Sequence, residues 1–210
     1  MMMIEEKAMT DDTEVSVIDV YQRHGAAWVK LRNNRLVERA WIDRFCALIP
    51  AGGSVVDIGC GSGLPIAGEL IERGFDVTGV DGTPTMIGLF KRNLPGVAVH
   101  FADMRELALN QRFQGLLAWD SFFHLSPGDQ RGMFPRFQAH AEPGAALMFS
   151  SGNAEGEAIG ELEGDRLYHG SLDPDEYRSL LDIAGFTVIA HVVEDPECGH
   201  RTIWLAQQRG

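Results

Sequence analysis

Along this chain, short apolar runs alternate with segments in which apolar residues return every three or four positions. Residues 15–30 and 36–48 have that helical spacing. Pro50-Ala51-Gly52-Gly53 then breaks the pattern. Residues 55–58 are mostly apolar and predict a buried parallel strand, after which residues 64–72 return to helical spacing. A second strand is predicted over 75–80, ending at Asp81. Residues 84–93 predict a helix, with Thr83 as N-cap and Pro84 at the first helical position. A third strand follows over 97–101, and a fully buried fourth over 113–119. Ser126-Pro127 opens a helix reaching about residue 141, and residues 145–149 read as a fifth strand. Asp173-Pro174 caps a helix that Gly185 stops. The last two strands are predicted over 186–193 and 201–206, and the short turn between them makes them an antiparallel hairpin.

Strands alternating with helices predict an α/β fold: a doubly wound, mostly parallel seven-stranded sheet with an antiparallel last strand and helices on both faces. No repeat or linker divides residues 1–210, so one domain is expected. Residues 1–13 read as a frayed acidic tail, and 14–48 as helices covering a site. Residues 150–164 are glycine-rich, acidic and without a period. The stretch 150–170 is therefore expected to be a mobile insertion over the site, a lid or an excursion with a short helix.

Composition narrows the function. A chain of 210 residues, 45% hydrophobic, suffices for one core. No apolar run approaches the roughly 20 residues that cross a bilayer, and the N-terminus has no signal-peptide pattern. The formal net charge of −12 disfavours a nucleic-acid partner. The basic residues between 30 and 44 read as a solvated helix face. Cys46, Cys60 and Cys198 show no paired spacing, which suggests a reducing cytoplasm.

The chemistry gathers at predicted strand ends, where open α/β sheets bind ligands. After the first strand lies Gly59-Cys60-Gly61-Ser62-Gly63, with Asp57 just before it. This is G-x-G-x-G; Leu64 stands where the third glycine of a dinucleotide fingerprint would fall. After the second strand comes Asp81-Gly82, about 20 residues on, where a carboxylate can accept from a ribose diol. After the third comes Ala102-Asp103-Met104, and after the fourth Trp119-Asp120-Ser121-Phe122-Phe123-His124. Each has a structural alternative. Asp57 can cap the glycine turn, Asp81 and Asp103 can be turn or N-cap residues, and Met104, Phe122 and Phe123 can be core.

These four strand ends in this order resemble class I S-adenosylmethionine (SAM)-dependent methyltransferases of the bacterial small-molecule type. The resemblance covers about residues 36–207 and implies a Rossmann-like sheet of order 3-2-1-4-5-7-6. It implies SAM as cofactor, with S-adenosylhomocysteine (SAH) as its product. Gly59, Cys60, Gly61 and Gly63 would pack under the methionine part, and Asp57 would orient its amino group. Asp81, with Gly82 beside it, would hold the ribose, and Asp103 and Met104 the adenine. Trp119 and Asp120 would hold the methionine end. Tyr21, on a helix that also carries Trp28, would reach the methionine carboxylate, unless both aromatics are ordinary helix packing.

The implied reaction is in-line transfer of a methyl group to oxygen or nitrogen of a small acceptor, with His124 as candidate general base. The alternatives for His124 are a cap on the following helix or a neutral packed side chain. Tyr168 and His169 are further pocket candidates. No metal is expected: Cys198 and His200 are only two ligands, and the place of an Asp-Asn metal pair reads Ser150-Ser151-Gly152-Asn153. The Asn-Pro-Pro-Tyr signature of nucleobase methyltransferases is absent. Two other readings are a SAM-binding sensor or partner subunit without transferase activity, and a nicotinamide-dependent oxidoreductase. The latter lacks both its glycine pattern and a Tyr-x-x-x-Lys pair. The sequence does not reveal the oligomeric state.

Overall fold

The computed structural model describes residues 12–32 and 35–210, with side chains from residue 17 onward in the first helix. The expected acidic tail falls mainly on residues 1–11, outside the described residues; residues 12 and 13 already belong to a helix. That helix, α1 (Asp12–Arg32), is followed by α2 (Arg39–Cys46). The alternating unit then runs β1 (Ser54–Ile58), α3 (Ile66–Glu72), β2 (Asp76–Asp81), α4 (Pro84–Asn93), β3 (Ala98–Phe101) and β4 (Phe113–Ala118). After α5 (Pro127–His140) come β5 (Ala141–Ser151), β6 (Gly156–Leu162), β7 (Asp165–Ser171), α6 (Pro174–Ile183), β8 (Phe186–Asp195) and β9 (Arg201–Gln208).

The seven-stranded sheet has the order β3-β2-β1-β4-β5-β9-β8. β1 to β5 pair in parallel, while β9 runs antiparallel to both β5 and β8. This is the expected pattern, with β8 and β9 in the places expected for the sixth and seventh strands. The renumbering comes from β6 and β7, which form a separate two-stranded antiparallel ribbon. Here the expectation of a short helix is corrected. Glu163 (φ 52°) and Gly164 (φ 87°) make a two-residue turn with both φ positive, which matches strand twist. The ribbon escaped the period-2 test because β6 is exposed almost throughout and so carries no apolar face.

Alternation along the central strands divides the core between two faces. Val56, Leu116, Leu147 and Phe149 pack with Phe134, Phe137 and Tyr177 of α5 and α6. Val55, Leu117 and Met148 pack with Phe45, Leu70 and Phe90 of α2, α3 and α4. A third, small cluster joins Val17 and Val20 of α1 to Leu162, Leu167 and Tyr168 of the ribbon. Thus α1 and the ribbon meet each other and close the carboxyl ends of the parallel strands. Among the described residues no helix is long and apolar enough to cross a membrane.

Candidate active site

The glycine turn is shaped by what approaches it. At Gly59 (φ 78°) a Cβ would lie 2.3 Å from Ser121 Cβ, so no side chain fits. Ser121 reaches this position by donating its hydroxyl to Ile58 O at 2.8 Å, which locks the end of β4 against the end of β1. Gly61 (φ 54°) differs: a Cβ there would meet nothing nearer than Met86 Sδ at 4.0 Å. Its bare backbone faces open space, as a ligand cradle requires.

Two buried carboxylates flank the turn. Asp81 accepts from Gly61 N at 2.9 Å through Oδ2, and from Thr83 N (2.9 Å) and Thr83 Oγ1 (2.8 Å) through Oδ1. Burial pushes its pKa up against these hydrogen bonds. Thr83 stands at the N-cap position of α4 as expected, but its hydroxyl turns to Asp81 and caps nothing. Asp57 is 4% exposed. Burial, and then the charge of Asp81, push its pKa up to about 7. No hydrogen-bond donor among the described residues offsets that cost.

Three adjoining cavities receive the site residues. The first, about 120 Å³ and roofed by Val17 and Ile18 of α1, collects Tyr21, Gly59, Gly61, Asp81, Gly82, Asp103, Met104, Asp120 and His124. The second, about 70 Å³, lies along the glycine turn and collects Asp57, Cys60, Gly63, Trp119 and again Gly59, Gly61 and Asp120. The structure therefore brings to two contiguous spaces the thirteen residues expected to bind the cofactor or act in catalysis; of the further pocket candidates, His169 lines the third cavity and Tyr168 packs against α1. The third cavity, about 440 Å³, is bounded by Phe123, Asn153, His169, Glu194, His200 and Arg201 among others. It shares four side chains with the first: Tyr21, Trp28, Asp120 and His124.

Several side chains do something other than, or in addition to, what was expected. Asp103 caps the 3-10 turn Met104–Glu106 by accepting from Arg105 N at 2.9 Å, and it also takes Arg105 Nη2 at 2.6 Å. Burial works against its charge, but the hydrogen bonds from Arg105 outweigh it and hold the carboxyl below its ordinary range. Phe122 is fully buried core, whereas Phe123 lines the third cavity. His124 does not cap α5; Ser126 does, accepting from Asp129 N. Instead His124 Nδ1 lies 2.7 Å from Tyr168 O, and its Nε2 lies 3.0 Å from Tyr21 Oη. A carbonyl only accepts, so Nδ1 carries the proton and Nε2 receives the Tyr21 O–H. Burial holds the imidazole neutral, with its pKa pushed down to about 4. The Tyr21 hydroxyl, expected to reach the methionine carboxylate, engages His124 while its side chain lines the first cavity with Gly59 and Gly61.

The sequence reading missed Arg201. Its Nε and Nη2 bind Asp120 Oδ1 and Oδ2 at 2.8 and 2.7 Å, and Asp120 itself has φ 49°. It also missed Arg32, which lines the second cavity and pairs with the fully buried Glu38. A basic residue opening a predicted strand was the only available signal for Arg201; nothing local pointed to its partner 81 positions away.

Comparison with known proteins agrees with this geometry. A family model described as a methyltransferase domain matches residues 28–191. The magnesium-protoporphyrin O-methyltransferase of Rhodobacter capsulatus is 40% identical over 83 residues, covering 37% of this chain and 36% of that protein. The dTDP-3-amino-3,6-dideoxy-alpha-D-glucopyranose N,N-dimethyltransferase of Streptomyces fradiae is 27% identical over 101 residues, covering 47% and 39%. The chain thus spans well under half the length of these two relatives. Among solved structures, the Burkholderia thailandensis 1,6-didemethyltoxoflavin-N1-methyltransferase, with its substrate and SAH bound, superposes with a TM-score of 0.73. It is 20% identical and the match covers 93% of this chain and 88% of that one. With a family match over most of its length and the fold to go with it, the chain belongs to the methyltransferase-domain family.

Proposed function

We propose that this protein transfers a methyl group from SAM to a small-molecule acceptor. The observation that carries the reading is the pair of buried carboxylates, Asp57 and Asp81, on either side of a glycine turn whose Gly61 face is open. An unpaired, desolvated Asp57 asks for a cation, and SAM carries two cationic groups and a ribose diol. Asp81 retains acceptor capacity beside its backbone donors and would take the ribose; Asp57 would face the amino group. Bound there, SAM would supply a methyl group already activated by positive sulfur. The protein's own part is to align the acceptor and exclude water. Trp28, Tyr21, Asp120 and His124 stand where the cofactor-side cavity meets the larger one, so they would border the reacting atoms.

The large third cavity favours a transferase over a binding-only protein, because a sensor needs no second space beyond the cofactor. The relatives named above act, by name, on a porphyrin and on an amino sugar nucleotide, which supports a small acceptor. The net charge of −12 weighs against nucleic acid, and three free cysteines fit a cytoplasmic setting. The test is calorimetry with SAH. Asp81→Asn keeps an oxygen for Thr83 but loses the charge and one acceptor. It should weaken SAH by about 10–100-fold, the worth of charge-assisted hydrogen bonds. A folded variant with undiminished affinity overturns the assignment.

A further inference from the structure

We propose that Tyr21 is the residue that touches the methyl acceptor, and that the acceptor is an aromatic amine: a flat ring carrying an uncharged N–H nitrogen. The inference rests on the methyltransferase reading and deepens it.

The first argument is directional. Tyr168 O fixes the Nδ1–H form of His124, which forces the Tyr21 proton toward Nε2. Tyr21 Oη therefore has only lone pairs left to present. It stands at the junction of the cofactor-side and acceptor-side cavities. A group that meets it there must donate a hydrogen bond. Both nitrogens of His124 are already engaged, so His124 acts on the acceptor through Tyr21 and is a positioning residue.

The second argument is that no strong base stands at this junction among the described residues. Asp120 is held by Nε and Nη2 of Arg201 through three hydrogen bonds. The imidazole of His124 is weakly basic in its buried setting, and burial likewise lowers the pKa of His169. Burial also keeps Tyr21 a phenol. An alkyl amine arrives protonated and a phenol arrives as a poor nucleophile; neither finds a group here to activate it. An aromatic amine needs no activation, because its nitrogen is uncharged at neutral pH and keeps its lone pair.

The third argument concerns the walls. The rings of Phe123, His124 and His169 lie together, with centroids 4.7–5.3 Å apart, and Trp28 lines the same cavity. Such walls suit a flat ring. The charge of Asp120 is matched by Arg201, which leaves Glu194, bound by Asn153 Nδ2 at 2.8 Å, as the remaining carboxylate at the cavity. Carboxylate or phosphate acceptors are disfavoured.

The proton balance follows. The nitrogen lone pair forms the N–C bond while the C–S bonding pair remains on sulfur. The resulting arylammonium is acidic enough to give its proton to Tyr21 Oη as the phenolic proton moves to His124 Nε2. The proton reaches solvent by the reverse of this relay, from His124 Nε2 to Tyr21 Oη and on to water once the product has left the cavity; an alkylammonium would be too weak an acid to start it.

The test uses 2-aminonaphthalene, 2-naphthol and 2-naphthoate as matched probes, with SAH affinity measured first. Failure to bind SAH would defeat the methyltransferase reading itself. With SAH bound, the amine should bind at least about tenfold more tightly than the carboxylate, and with SAM it alone should be methylated. Tyr21→Phe should keep SAH affinity and stay folded, with a thermal midpoint lowered by a few degrees because His124 Nε2 loses its partner, but it should lower kcat/KM for the amine about tenfold, the worth of a hydrogen bond. His124→Gln should cost a similar factor and add little in the Tyr21→Phe background, because the two act as one unit. Nitrogen-15 spectra should show His124 as the neutral Nδ1–H form without any ligand. Preference for the naphthol or naphthoate, no amine binding beside firm SAH binding, additive losses, or the Nε2–H form would each overturn the proposal.

Discussion

Asp57→Asn should make the ligand-free protein more stable above neutral pH while weakening its hold on the cofactor. In the unfolded chain this carboxyl ionises near its ordinary value of 3.8; in the folded protein burial and Asp81 delay ionisation to about 7. Between those values the folded state binds more protons than the unfolded one, so stability falls as pH rises through the window. Below it both states are protonated and the cost is absent. Above it both are ionised and the cost is complete. Roughly three pH units at 1.36 kcal/mol each give about 4 kcal/mol. Asparagine removes the charge but brings an amide that needs its own partners, so a net gain of about 1–3 kcal/mol is expected at pH 8. For a chain of this size that is a rise of about 3–10 °C in Tm. Thermal unfolding of both proteins from pH 4 to pH 8 isolates Asp57 together with its coupling to Asp81, because the carboxylates not coupled to it cancel in the difference. The gap should be smallest at pH 4 and open steadily to pH 7. A gap independent of pH, or a variant less stable than the parent at pH 8, would refute the reasoning. The same residue predicts proton release. If the SAH ammonium pulls the Asp57 pKa well below 6.5, up to about 0.8 of a proton should leave it on binding at pH 6.5, and none should leave from this site in the variant. Calorimetry in buffers of different ionisation enthalpy counts that difference.

The remaining predictions concern the scaffold around the site. Gly61→Ala should cost only about 1–2 kcal/mol of stability for its positive φ. Its methyl group would occupy the open face, so SAH affinity measured by calorimetry should fall by at least about tenfold, about 1.4 kcal/mol. Gly59→Ala, by contrast, meets Ser121 at 2.3 Å and should lower Tm far more. Gln130→Leu should destabilise the protein by about 2–4 kcal/mol in denaturant unfolding, because several buried polar groups lose partners together. Gln130 Nε2 donates to Leu125 O and Gly170 O, and its Oε1 accepts from Tyr177 Oη at 2.5 Å.

How much of this was legible in the sequence depends on how local each feature is. Most of the parallel strands could be read because they are continuous buried runs punctuated by turn residues; β3 is a largely exposed edge strand, and the strand order came only with the family resemblance. Asp57, Asp81 and Asp103 were found by position: they lie near the end of β1, at the end of β2 and just after β3, and in such a sheet the carboxyl ends of the strands face the ligand side. What they do there was less legible, since Asp103 spends its carboxylate on Arg105, two residues on. The contacts that define the acceptor side were invisible for a different reason. Tyr21 and His124 are 103 positions apart, and the Tyr168 carbonyl comes from a ribbon whose exposed strand β6 leaves no apolar period. Charge pairing between Asp120 and Arg201 depends on the reversal of β9, which brings the start of the last strand beside the end of β4.

The two sides of the site differ in how their charges are balanced, and the proposed chemistry gives that difference a reason. Asp57 and Asp81 are buried without a cationic partner, while Asp120, nearer the acceptor, is matched by Arg201 through three hydrogen bonds. A donor that begins as a sulfonium loses its positive charge at sulfur as the methyl group leaves. A bare carboxylate beside the sulfur would therefore stabilise the starting state more than the transition state and slow the reaction. Carboxylates directed at the ribose and the amino group meet parts of the cofactor whose charge does not change, so their binding energy is the same before and during transfer. On the proposed binding mode, the ion pair that the sequence reading missed would let an acidic pocket bind a cation without holding back its methyl group.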